Sequence, residues 1–219
     1  MNKHSYIPKD PGSAITHFIA MLMALFAATP LLLKAHRQLD PIYTFSLGIF
    51  IVSMILLYTA STLYHTFDLS ERANRILKKF DHMMIFVMIA GSYTPICLIV
   101  LGDKLGLGLF ILIWSIALAG MLLKALWVTC PKWFSSIIYI AMGWTCVLAF
   151  SPIIKALPFK GFLLLLIGGI IYTIGGVIYA LKLPLFNSRH KYFGTHEIFH
   201  LCVMGGSVCH FFVMYNFVA

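Results

Sequence analysis

Apolar residues along this chain fall into seven long blocks with polar punctuation between them. The blocks lie at roughly 14–33, 42–65, 82–101, 107–127, 134–154, 161–181 and 197–218. Each is close to the ~20 residues a helix needs to cross ~30 Å of hydrocarbon. The punctuation carries helix-ending chemistry. Asp40-Pro41 opens the second block, Arg72 to Lys79 reads as a basic loop, and Gly102-Asp103-Lys104 makes a tight turn. Cys130-Pro131-Lys132, Leu157-Pro158 with Lys160-Gly161, and Pro184 to Gly194 supply the remaining breaks. The pattern predicts an all-α integral membrane protein with seven transmembrane helices. It forms one membrane domain over 14–219, behind a polar leader over 1–13.

Composition supports this and excludes the soluble classes: 61% of residues are hydrophobic and only 11% charged. The net charge of +9 raises nucleic acid as a partner. The basic residues sit in short loops between apolar blocks, however, where membrane topology explains them, so no nucleic-acid partner is expected. The first apolar block is span-length and lacks a small-residue cleavage site, so no cleavable signal peptide is expected. Cys97, Cys130, Cys146, Cys202 and Cys209 form no CxxC, and four lie inside apolar blocks. They read as buried thiols, not a disulfide frame.

The distribution of Lys and Arg sets the orientation. Lys3, Lys9, Arg72, Arg75, Lys78, Lys79, Lys124, Lys132, Lys182, Arg189 and Lys191 fall on one side, eleven in all. Lys34, Arg37, Lys104, Lys155 and Lys160, five in all, fall on the other. The larger set belongs in the cytoplasm. The N-terminus is therefore expected inside and, after seven crossings, the C-terminus outside. Gly168, Gly169, Gly175 and Gly176 repeat small residues along the sixth block, as close helix–helix contact requires. Pro30, Pro95 and Pro152 are expected to kink their helices. Trp127 and Trp133 suit a membrane interface, and Trp114 and Trp144 suit packing.

With that topology, several polar residues far apart in sequence share one layer at the cytoplasmic side. These are Ser61 and His65 at the end of the second block, Asp81 at the start of the third, and His196 and His200 at the start of the seventh. His196 and His200 stand one helical turn apart on one face, and so do Ser61 and His65. Three neutral imidazole nitrogens with an open fourth position make a catalytic-type zinc site. A nearby carboxylate, Asp81, can take a proton from water or orient it. Taken singly, Asp81 also fits a helix N-cap and Ser61 a capping residue.

His196-Glu197-Ile198-Phe199-His200 also matches the HExxH pattern of zinc proteases, with Glu197 as base. No third ligand follows at protease-type spacing, and Glu197 is expected to face a loop or headgroups. His210 lies ten residues past His200, about 15 Å along the helix and rotated away, so it reads as a packed or hydrogen-bonded histidine. His17 can reach the same layer as a supporting group. His82 points roughly 100° away from Asp81 and is left out of the ligand set. His4, His36 and His190 read as loop residues.

Ala60-Ser61-Thr62-Leu63-Tyr64-His65, Phe80-Asp81-His82, Ala90-Gly91-Ser92-Tyr93-Thr94-Pro95, Ala141-Met142-Gly143-Trp144, His196-x3-His200 and Gly205-Gly206-Ser207-Val208-Cys209-His210-Phe211 form a further pattern. Over nearly its whole length the chain resembles the hemolysin III family, the bacterial branch of the progestin and adipoQ receptor group. That resemblance implies zinc on His65, His196 and His200, Asp81 acting through water, and Ser61 close by. It also implies a lipid-filled cavity, hydrolysis of lipid amides such as ceramides, a ceramidase-like activity, and a link to membrane fluidity. The chain has no large N-terminal domain like that of the receptors, so no protein hormone is expected as partner. The expectation is a multi-pass protein of the bacterial inner (plasma) membrane. It acts on membrane lipids in lipid homeostasis, by zinc-dependent hydrolysis of a lipid amide or ester. The rival readings are a non-enzymatic lipid-sensing regulator with structural zinc and a pore-forming cytolysin. The latter is disfavoured because no amphipathic pore segment is evident.

Overall fold

A computed structural model describes residues 8–181 and 192–219. Lys3, Lys182, Arg189, Lys191, His4 and His190 lie outside the described residues, as does most of the loop that begins at Pro184. Among the described residues, seven helices are long and apolar enough to cross a membrane. They are α1 (Pro11–His36), α2 (Pro41–Thr66), α3 (Glu71–Leu101), α4 (Lys104–Leu126), α5 (Lys132–Ala156), α6 (Phe159–Leu181) and α7 (Thr195–Val218).

The starts of these helices follow from capping chemistry. Pro11 and Pro41 occupy first-turn positions, where a missing N–H costs nothing. Asp40 Oδ1 accepts from the Ile42 N–H at 2.9 Å. Asp103 Oδ1 accepts from the Gly106 N–H at 2.8 Å, just after Gly102 adopts φ 61° to end the preceding helix.

The third helix departs from expectation. Arg72 to Lys79 is not a loop but the opening of α3, whose N-cap is Ser70, with its Oγ accepting from the Ala73 N–H at 3.3 Å. Glu71 complements the dipole in the first turn, and Arg, Lys and Leu are strong helix formers. Counting apolar residues finds where hydrocarbon begins, not where the helix does. Asp81 is therefore no cap. It lies roughly three turns into α3, about 15 Å past its start.

α5 is interrupted by a 3₁₀ stretch over Trp144–Ala149, just before Pro152. Ile96–Leu101, directly after Pro95, is π-helical. Both irregularities sit where a proline removes a backbone donor. Pro30 lies inside an unbroken α1.

The seven helices bury a core of small and medium apolar residues, among them Leu31, Phe50, Ile51, Phe86, Ile113 and Val213. Large apolar side chains such as Phe26 and Leu126, each 79% exposed, face outward, as a lipid-facing surface requires. α6 and α7 approach closely through glycine. A Cβ on Gly175 would stand 2.7 Å from Cys202 Cβ, and one on Gly206 would stand 2.7 Å from the Tyr172 ring. Trp114 and Trp144 are packing residues, donating to Thr94 Oγ1 at 3.1 Å and Thr173 Oγ1 at 2.9 Å. Trp127 and Trp133 are exposed.

All five cysteines are free, but only Cys97 and Cys130 are buried; Cys146, Cys202 and Cys209 are half-buried. Apolar helices expose part of their circumference to lipid, so membership of an apolar block does not bury a thiol. Lys124 is not a loop residue either. It stands in the last turn of α4, buried, donating to Ser135 Oγ at 2.5 Å and Cys130 Sγ at 3.0 Å. There it complements the C-terminal end of the helix dipole and ties α4 to α5.

Candidate metal centre

One end of the bundle gathers the titratable residues. α2 delivers His65 in its last turn, and α7 delivers His196 and His200 in its first two turns. Ligand-capable atoms of these three histidines all lie within 4.8 Å of one another. His65 is 3% exposed and His200 2%. The three ring centroids are 4.5 to 5.2 Å apart. No sequence separation enforces this. It results from antiparallel packing that returns α7 to the end where α2 terminates.

The outer contacts decide which nitrogen faces inward. His65 Nδ1 donates to Asp10 Oδ2 at 2.9 Å, leaving Nε2 with its lone pair. His65 Nε2 faces His196 Nε2 at 3.2 Å. Thr16 Oγ1 spends its proton on the carbonyls of Gly12 and Ser13, both at 3.0 Å. It must then accept from His200 Nδ1, at 3.2 Å, which leaves His200 Nε2 unprotonated. Two lone-pair nitrogens are thus aimed at a common point beside a third imidazole. A buried cluster of this kind is costly unless a proton or a cation occupies it. The donor set fits a divalent metal ion, and nitrogen ligands suit the first-row transition metals. Asp10 stands outside the membrane-spanning part of α1. The hydrogen bond from His65 holds its carboxyl below the ordinary carboxylate range, against the opposing effect of partial burial.

Asp10, Ser13 and Thr16 were not legible as site residues. In the sequence they look like an ordinary helix start, and only the packing of α1 against α2 and α7 gives them this role. Glu197 also has a different environment from the expected one. It faces neither loop nor headgroups: Oε1 accepts from Ser13 Oγ at 2.5 Å and Oε2 from the Gly194 N–H at 2.8 Å. It caps α7 and fastens it to α1, so both carboxylate oxygens are engaged away from the base role that HExxH would assign.

His17 enters the same layer. Its ring stacks on His200, centroids 3.6 Å apart and planes within 6° of parallel. Parallel rings at that spacing cannot both hold one ion in their planes, so His17 supports His200 from the side. Neither of its nitrogens has a hydrogen-bond partner among the described residues.

Asp81 and Ser61 approach from the cavity side. A cavity of about 180 Å³ runs into the bundle from this layer, and its wall includes His17, Ser61, Asp81, His82, His196 and His200. Further in it is lined by Met88, Ile89, Phe150, Phe162 and Leu165, an apolar surface. Asp81 is 8% exposed and Ser61 1%. His82 does belong here: its Nδ1 lies 3.2 Å from Asp81 Oδ2 and 2.9 Å from the Lys78 carbonyl. Adjacent helical residues diverge by ~100° at Cβ, but a long imidazole side chain can swing back to its neighbour's carboxylate. His210 is buried and donates from Nε2 to the Leu165 carbonyl at 3.2 Å, as a hydrogen-bonded histidine outside the ligand set.

The arrangement is three imidazoles around a point, with a carboxylate and a hydroxyl beside them on the wall of a largely apolar cavity. Comparison with known proteins gives the family. The family model described as Haemolysin-III related matches residues 5–211. A Hemolysin-3 homolog from Bacillus subtilis is 37% identical over 206 residues, covering 94% of this chain and 92% of that protein. Hemolysin-3 from Bacillus cereus is 33% identical over 213 residues, covering 97% and 93%. With seven apolar helices and this match over nearly its whole length, the chain is a multi-pass bacterial membrane protein that belongs to the haemolysin III family.

Proposed function

We propose that this protein is a zinc-dependent lipid hydrolase of the inner membrane, cleaving an amide or ester of a membrane lipid and so serving lipid homeostasis. One observation carries the reading. The three histidines converge where Asp81 and Ser61 meet an apolar cavity. His65, His196 and His200 are the zinc ligands. A bound zinc ion supplies Lewis acidity at a position left open by three protein ligands. The acyl chain lies in the cavity, which places the scissile carbonyl at the mouth. Asp81 takes the proton of the attacking water and passes it to the leaving amine or alcohol. His82 holds the Asp81 carboxylate in place. Ser61 hydrogen-bonds the carbonyl oxygen as negative charge develops there. Asp10 and Thr16 keep two ligands in the correct tautomer. The end bearing the site faces the cytoplasm, in keeping with the eleven basic residues on that side against five.

The test pairs composition with turnover. Purified protein is expected to hold about one zinc per chain, the stoichiometry of a single three-histidine site. Lipids of a deletion strain are expected to accumulate an acylated species that wild type clears. Zinc retained in the absence of both His196 and His200 refutes the site. Full zinc without any lipid change refutes the hydrolase and leaves zinc in a structural role. The names of the relatives suggest cytolysis, and haemolysis by the same strains measures that reading directly.

A further inference from the structure

We infer that the opening of α3 is a docking segment for an anionic membrane surface, in which Arg72 and Arg75 hold the phosphates of acidic phospholipids while Ile76 and Phe80 enter the acyl boundary. The segment lies outside the cavity and the histidine cluster. By the basic-residue count the leaflet it meets is the cytoplasmic one.

The length of the helix raises the question. α3 runs from Glu71 to Leu101, 31 residues, or about 46 Å at the rise of an α-helix. The hydrocarbon core is only ~30 Å thick, and ~40–45 Å with its headgroups. Residues 82–101 hold no Asp, Glu, Lys or Arg and suffice for the hydrocarbon. The first turns of α3 therefore stand in the headgroup layer.

The exposed side chains of those turns have an order. Arg72, Ile76 and Phe80 are one turn apart and advance by about 40° each, so they form a stripe, and Arg75 lies about 60° to the other side of Arg72. All four are exposed, with Ile76 and Phe80 each at least half so. Phe80 is nearest the hydrocarbon, Ile76 one turn further out, and Arg72 beyond it. Apolar inside and basic outside is the order of chains and phosphates in a lipid, and basic amphipathic helices bind membrane interfaces by this division. A soluble protein partner would not require it. The apolar end of the stripe is also continuous with the lipid-facing surface of the same helix.

The charge agrees. Residues 68–80 carry four basic and two acidic side chains, a positive balance. Asp68 accepts from the Asn74 side-chain amide at 2.8 Å, and Glu71 sits in the first turn, where it complements the helix dipole. Lys79 donates to the Ala125 carbonyl. Among the described residues neither Arg72 nor Arg75 has a carboxylate partner. Their planar guanidinium groups can each meet a phosphate with two hydrogen bonds. Docking also sets depth. Phe80 is exposed and its neighbour Asp81 buried, so a Phe80 held at the acyl boundary places Asp81 level with the bonds that join headgroup to chain.

The experiment places the full chain in phosphatidylcholine nanodiscs with a trace of photoreactive phosphatidylglycerol or photoreactive phosphatidylcholine, and maps the adducts by mass spectrometry. Both leaflets of a nanodisc have one composition, so the outcome does not depend on orientation. In wild type the phosphatidylglycerol probe is expected to label residues 69–80 about tenfold more than the phosphatidylcholine probe, since each basic residue near an anionic surface is worth roughly fivefold. This map needs no variant. In the double variant Arg72→Gln with Arg75→Gln, both at exposed positions, the two probes are expected to label the segment about equally, with the thermal midpoint unchanged. Millimolar inorganic phosphate is expected to leave the wild-type map as it is. Equal labelling in wild type, or a preference that survives the double variant, overturns the docking. Loss of labelling to inorganic phosphate overturns the membrane as the occupant in favour of a free anion. Cross-linking of residues 69–80 to another copy of the chain, in place of lipid, overturns it in favour of a protein contact.

Discussion

Replacing Asp10 and Thr16 separates two ways of orienting a ligand, and the structure predicts an unexpected order. Loss of a group that holds a metal-binding imidazole typically costs 10–100-fold in metal affinity. Asp10 is charged and contacts His65 at 2.9 Å, so intuition places it first. Its side chain, however, is 45% exposed, whereas that of His65 is 4% exposed. Truncation to alanine opens a path for water to His65 Nδ1, and water replaces most of what the carboxylate supplied. Asp10→Ala is therefore expected near the low end, about tenfold. Thr16 is neutral, but its partner His200 is 2% exposed. In Thr16→Val a methyl occupies the place of the hydroxyl and admits no water. The His200 Nδ1–H then keeps only the Ser13 backbone carbonyl as acceptor, or the ring changes tautomer and loses its inward lone pair. The loss is expected above that of Asp10→Ala, within the range of about 10–100-fold. Competition against a chromophoric chelator gives both affinities. Cobalt substituted for zinc reports ligand geometry through its visible bands. Metal affinity within twofold of wild type for Thr16→Val, or Asp10→Ala the more damaging of the two, refutes the reasoning.

Four further outcomes are expected. A reporter fused after Ala219 is active outside the cytoplasm, as the basic-residue count requires; activity inside reverses the placement of the site. His65→Ala, His196→Ala or His200→Ala each removes most of the zinc measured by elemental analysis, whereas His210→Phe retains it. Asp81→Asn keeps zinc and lowers lipid turnover by about 10²–10⁴-fold, while Glu197→Gln keeps both, since the amide oxygen can still accept from Ser13; the opposite pattern restores the metalloprotease reading. Gly206→Leu lowers the thermal midpoint, at a cost of about 1–3 kcal/mol, because even a Cβ there meets the Tyr172 ring at 2.7 Å.

Much of the fold was legible because a membrane simplifies the problem. Seven apolar blocks must become seven helices, and Pro, Gly and Asp between them mark the ends. The gathering of His65, His196 and His200 was legible for a related reason: alternating helix direction returns every second loop to the same layer. What the pattern missed lies where hydrocarbon stops deciding. The amphipathic opening of α3 reads as a loop because Arg72, Arg75, Lys78 and Lys79 end the apolar block, yet Ser70 and Glu71 were a sufficient start signal. The roles of Asp10, Ser13 and Thr16 carry no sequence signal at all. Each is a common helix-start residue, and its partner is 55 or 184 positions away.

Those same three residues explain why the candidate centre is built at a helix end. α1 contributes none of the three clustered histidines, yet its first two turns hold His65 through Asp10, His200 through Thr16 and the start of α7 through Ser13 and Glu197. A metal-binding triad drawn from two helices has its geometry set by their relative position, and α1 bridges both of them. Binding energy at the histidines is then shared with the docking of α1's N-terminal turn. A displacement of that turn disturbs two ligand tautomers together. By contrast, the carboxylate and hydroxyl assigned to proton transfer and carbonyl binding come from α3 and from α2 one turn before His65, and among the described residues no hydrogen bond joins either to that turn. Metal retention and turnover therefore separate along the chain. Under the proposed function, substitutions in residues 10–16 are expected to change occupancy first, and substitutions at Asp81 or Ser61 to change the reaction with the metal still in place.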